Sequence, residues 1–135
     1  MIYIGKFLHT TSQQARKESG RRHGEFNLIV SAEDQKDALA KFKERITDMQ
    51  TSTDFFEGAS NVYLEHVLEM KTVPKTRAVL FDFQSVAGDP AMPMISCQAP
   101  SGDTDGCKIV DWQKNRPGFD GHAAIPFVKF GSPAR

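Results

Sequence analysis

Residues 31–49 read SAEDQKDALAKFKERITDM, and the fold follows from this stretch. Apolar side chains recur at Ala38, Leu39, Phe42, Ile46 and Met49, the three-and-four spacing that gathers them on one stripe of a helix. Ser31 offers an N-cap hydroxyl, and Glu33, Asp34 and Asp37 place negative charge on the first turns while Lys41, Lys43 and Arg45 follow. Asp37 and Lys41 form a favourable i,i+4 pair. The pattern predicts one amphipathic helix over 31–49, with its stripe toward a core and a mixed-charge outer face. Nothing on that helix has the character of a site.

Working outward, Phe26, Leu28 and Val30 alternate with Asn27 and Ser31, broken only by Ile29, which predicts a half-buried strand over 25–30. Residues 2–9, rich in Ile, Tyr and Phe, predict another, joined to it by a polar connector over 10–24. An antiparallel pair is the simplest arrangement. Past the helix, residues 51–60 have loop composition, with Phe55 and Phe56 tucked beneath. Residues 62–71 then alternate, placing Val62, Leu64, His66, Leu68 and Met70 on one face and Tyr63, Glu65, Val67, Glu69 and Lys71 on the other. A turn at Val73-Pro74-Lys75-Thr76 and a second β-type run over 77–86 complete a hairpin in which Met70 faces Val79, Leu68 faces Phe81 and His66 faces Phe83.

Beyond residue 87, Pro90, Pro93, Pro100, Pro117, Pro126 and Pro133 interrupt every helix, leaving a loop-rich subregion over 87–135 with room for short strands at 94–98, 107–112 and 123–130. The class is α+β. An antiparallel sheet in the order β-β-α-β-β carries one main amphipathic helix on one face, followed by a Pro/Gly-rich C-terminal region with short strands. A chain of 135 residues with 39% hydrophobic residues and ten Phe can form one core, so a single domain over 1–135 is expected.

Charge excludes long-range steering toward a polyanion, because 17 basic and 17 acidic residues cancel. A charged partner must be met by a local patch. No apolar run approaches the roughly 18 residues of a membrane span, which argues for no membrane partner and a cytoplasmic location. Cys97 and Cys107 are too few for a disulfide scaffold, and two reduced thiols are the leading reading, with one bridge left open. With His122 they make three soft metal ligands, but no C-x-x-C spacing accompanies them, so neither a metal nor a cofactor is assigned. Asp103-Thr104-Asp105-Gly106 resembles a fragment of a calcium loop and lacks the downstream bidentate acid, which favours a plain turn.

One local patch does occur. Arg16, Lys17, Arg21 and Arg22, with His23 beside them, give four fixed positive charges that suit phosphates, although polar loops between strands are often basic without function. No complete catalytic signature is present, neither a nucleophile elbow, a Walker loop, a dinucleotide fingerprint nor a zinc-protease motif. His9-Thr10-Thr11 holds one His-x-Thr element without its second copy. Dispersed acid–base candidates are His66, His122, Asp82 and Asp120, each with a plainer reading as a satisfied core or turn residue.

Three functions follow, in order of preference. The first is a non-catalytic interaction module that binds a protein partner or forms a homo-oligomer through a strand edge or the tail, where Trp112 and Phe119 lie. The second is nucleic-acid or phosphate-ligand binding through residues 16–23. The third is a small hydrolase assembled from the dispersed His and Asp residues.

Overall fold

A computed structural model of the chain describes residues 1–17, 20–53, 55–56, 60–88, 105 and 126–131. Among the described residues three strands and one helix are formed: β1 (Ile2–Thr11), β2 (Arg22–Ser31), α1 (Gln35–Ser52) and β3 (Ser60–Met70). β1 is central in the sheet order β2-β1-β3 and runs antiparallel to both neighbours. The α+β class and the antiparallel sheet with a single helix are therefore as expected.

The β1–β2 ladder is longer than its sequence pattern, from Ile2↔Ser31 to Thr11↔Arg22. On β1 the buried residues are Tyr3, Gly5, Phe7 and Thr11, all odd-numbered, and these share the helix side of the sheet with Phe26, Leu28 and Val30 of β2. α1 contributes Ala38 and Phe42 to the same core, flanked by Leu39 and Ile46. Phe7 stacks on Phe26 with ring centroids 5.1 Å apart and meets Phe42 edge-on at 5.6 Å, geometries that add to simple area burial. Gly5 makes this packing fit, because a Cβ there would lie 2.7 Å from Phe7 Cε2 and 3.0 Å from Phe42 Cε2.

The helix starts later than Ser31. Its N-cap is Asp34, whose side chain accepts from Asp37 N at 2.8 Å, while Asp37 Oδ2 accepts from Glu33 N at 3.0 Å. Ser31 is claimed instead by the sheet, where it pairs with Ile2 and is followed by the bond from Ala32 N to Met1 O, 3.0 Å. The Asp37–Lys41 ion pair forms at 3.2 Å, and Lys41 Nζ also donates to Ser31 O at 3.1 Å. At the other end Thr53 closes the helix through N and Oγ1, both donating to Met49 O. Phe55 N donates to Thr53 Oγ1 at 3.2 Å, and Phe56 is buried.

Two expectations fail on β3. A β-bulge lies between the pairs Lys6↔His66 and Phe7↔Leu64, so Glu65 is the extra residue and the two halves of the strand have opposite parity. Val62 and Val67 therefore both pack against the core, whereas His66, Leu68 and Met70 pair with Lys6, Ile4 and Ile2 on the other side of the sheet. The single apolar face expected over 62–70 is split between the two faces. The hairpin also does not form. Residues 71–88 hold no strand, and Val79, Leu80, Phe81 and Phe83 are exposed. β3 takes its antiparallel partner from β1 instead, and Asp82 is drawn to Lys6 of that central strand.

The chain divides into two units, Met1–Gln84 and Ser85–Arg135. In the second unit residues 85–88, 105 and 126–131 are described, all exposed and without helix or strand. The short strands expected at 94–98 and 107–112, and most of that at 123–130, fall outside the described residues.

Candidate functional site

β1 reads Ile2-Tyr3-Ile4-Gly5-Lys6-Phe7-Leu8, apolar at both parities, which is the pattern of a strand covered on both faces. Only one face receives the helix. On the second face Ile2, Ile4 and Leu8 of β1 lie beside Ile29 of β2 and Leu68 and Met70 of β3 by register, and among the described residues no helix or strand lies over them. Ile29 is 66% exposed and Tyr63, opposite Leu8, 53% exposed.

Lys6 is the charge at the centre of this face. Its ammonium lies 3.5 Å from Glu25 Oε2 and 3.8 Å from Asp82 Oδ2, with only 17% of the side chain accessible. The two carboxylates meet the electrostatic demand of a half-buried lysine and leave the face without an unmatched cation. Through Asp82 the segment after β3 is tied to the face, and Val79, Leu80, Phe81 and Phe83 beside it in sequence are exposed.

Two of the acid–base candidates thus meet at one lysine. His66 is the register partner of Lys6, and Asp82 is its ion-pair partner. The hairpin that would set Phe83 opposite His66 is not formed, and Phe81 and Phe83 are 55% and 76% exposed. His122, Asp120 and Trp112 lie outside the described residues, as do Phe119, Cys97 and Cys107. Among the described residues no three His, Cys, Asp or Glu side chains gather into a metal-binding group, and no helix is long and apolar enough to cross a membrane.

The basic residues collect at one end of the sheet. Arg16 and Lys17 belong to the turn after β1, Arg21 precedes β2, and Arg22 and His23 are its first two residues, so the connector is shorter than 10–24. All five are exposed. Gln13 Nε2 straps the turn by donating to Thr11 O at 3.3 Å and Arg22 O at 3.1 Å.

The residue that sequence reasoning undervalued here is His9. Its odd position on β1 sends it to the helix side, against Phe26 and Phe56 with ring centroids 6.3 and 5.7 Å away. Gly24 lies opposite and leaves it room, since a Cβ there would come within 2.7 Å of His9 Nε2. Nδ1 is buried without a hydrogen-bond partner. Burial, then the positive charges of His23 and Arg22, push the imidazole below its usual pKa. Strand parity was the available signal, because His9 continues the series Tyr3, Gly5, Phe7.

These features define a small α+β module whose sheet is covered by a helix on one side and, among the described residues, bears no helix or strand on the other. Comparison of the chain with protein-family models, with curated proteins and with solved structures finds no match.

Proposed function

We propose that the chain is a non-catalytic interaction module that binds protein through the sheet face opposite α1, and that a second copy of the chain is its partner. The observation that carries this reading is the central strand with apolar residues on both faces and, among the described residues, a helix on only one. Extended apolar surface of this kind marks interaction sites in soluble proteins. A copy suits the face because Lys6 is matched by Glu25 and Asp82, and the one carboxylate in excess stays solvated, the two acidic side chains being 54% and 39% accessible.

The size is also adequate. Three strands of about ten residues cover roughly 14 by 33 Å, so two apposed faces bury on the order of 1,000 Å², the lower bound for a specific interface. The expected assembly is a two-fold dimer with micromolar dissociation.

Sedimentation equilibrium of the full chain over about 1 to 200 μM tests this, given that micromolar binding corresponds to about −8 kcal/mol. A mass rising from monomer to dimer supports the reading, and a monomeric mass at every concentration overturns it.

A further inference from the structure

A second surface, chemically unlike the apolar face, is the basic turn between β1 and β2. We propose that Arg16, Lys17, Arg21, Arg22 and His23 form a binding site for the phosphate backbone of a nucleic-acid duplex. The five residues come from two stretches, one in the turn and one at the start of β2, and the fold brings both to the same end of a single antiparallel ribbon. All are exposed, so none is spent on the core. Glu25, the next carboxylate along β2, is engaged with Lys6 on the neighbouring strand rather than with the arginines.

The electrostatics agree. The positive charges of Arg22 and His23 reach His9 across the strand pair and add to the burial that disfavours its protonated form. Arg16, Lys17, Arg21 and Arg22 are a local excess of fixed positive charge in a chain whose net charge is zero.

The chemistry points to backbone recognition of a duplex rather than to stacking on single-stranded bases. Of the rings near this end, Phe26 and Phe56 are turned into the protein around His9, and Tyr63, opposite Leu8 and 53% exposed, is a single ring rather than the series on which successive bases stack. A two-stranded ribbon bearing arginines is of a size that a duplex groove accepts, and arginine forks suit phosphate oxygens.

The test uses the full chain and a fluorescent 20-base-pair DNA duplex of mixed sequence, read by anisotropy at 50 and 200 mM salt. With about four phosphates neutralised, affinity is expected to fall on the order of 100-fold between the two salts. A variant with Arg16, Lys17, Arg21 and Arg22 replaced by Gln is expected to lose at least about tenfold in affinity at 50 mM and most of the salt dependence. Lys36→Gln/Lys43→Gln, on α1, is the control for general loss of charge, and circular dichroism checks that both variants fold.

Absence of binding by the parent at 50 mM overturns the proposal, as does equal binding by the four-Gln variant or an equal loss in the α1 control. Two further arms identify the ligand. Tighter binding of a single strand of the same length overturns the duplex assignment. Displacement by inorganic tripolyphosphate, at phosphate concentrations no higher than competing duplex requires, overturns it in favour of a compact polyphosphate site. Because the probe reads the turn and not the apolar face, its failure leaves the dimer reading standing, and the converse also holds.

Discussion

At the residue scale, the account turns on side chains whose position is decided by parity along β1. His9 sits with Phe26 and Phe56 on the helix side, and its folded-state pKa is lowered from 6.5 by burial and by the neighbouring positive charges. The native state therefore binds fewer protons than the unfolded chain, so stability is fully present above about 6.5 and is lost as pH falls through the folded value. Denaturant melts at pH 7.5, 6.5 and 5.5 should show this loss. In His9→Phe, which keeps a ring and removes the buried Nδ1, the loss over that range should be smaller; an unchanged slope would assign the titration to another group. Asp37 acts in a separate window: its pKa is lowered first by the Glu33 amide and then by Lys41, so its contribution disappears only as pH falls below about 3.8. Gly5 gives a sharper test of the core. Gly5→Ala should cost about 1–3 kcal/mol, because the added Cβ meets two packed rings. Gly24→Ala should cost less, since its clash is with one side-chain ring.

At the element scale, α1 was legible because periodicity, charge order and the Asp37–Lys41 pair all agree, and those parts of the reading hold. Its start was not. Ser31 and Asp34 are both good N-cap residues, and the choice between them depends on how far β2 runs, which is set by the distant pairing of Ser31 with Ile2. Asp34→Ala should therefore cost about 1 kcal/mol, while Ser31→Ala should stay within about 0.5 kcal/mol, as measured by thermal or urea melts. A larger loss at Ser31 would contradict the observed cap. The bulge at Glu65 was hidden for a related reason. Its sequence continues the polar–apolar alternation of 62–71 without a glycine or proline, and only the ladder with β1 shows that the alternation belongs to two faces. The run over 77–86 has the composition of a strand, but composition does not supply backbone pairing, and among the described residues β3 is hydrogen-bonded to β1 alone.

At the scale of the whole molecule, the described residues present two different surfaces: an apolar sheet face with a neutralised lysine at its centre, and a basic end where β1 turns into β2. The basic end could be read from sequence as a cluster, and the structure trimmed it by drawing Arg22 and His23 into β2. The apolar face was written in Ile2, Ile4 and Leu8, yet it becomes a surface only when topology puts the helix on one side of β1 and Leu68, Met70 and Ile29 on the other. Lys6 with Glu25 and Asp82 was beyond sequence reasoning, because the three come from β1, β2 and the segment after β3. Dimerisation through this face is decided by the weight-average mass of Ile29→Lys beside that of the parent, by sedimentation equilibrium at the same concentrations. Ile29 is 66% exposed, so the substitution should leave the fold intact while placing a charge on the face. The account requires a dimerising parent and a variant whose dissociation constant rises at least about tenfold, a change of about 1.4 kcal/mol. Equal masses for the two proteins, with unchanged circular dichroism, would contradict it.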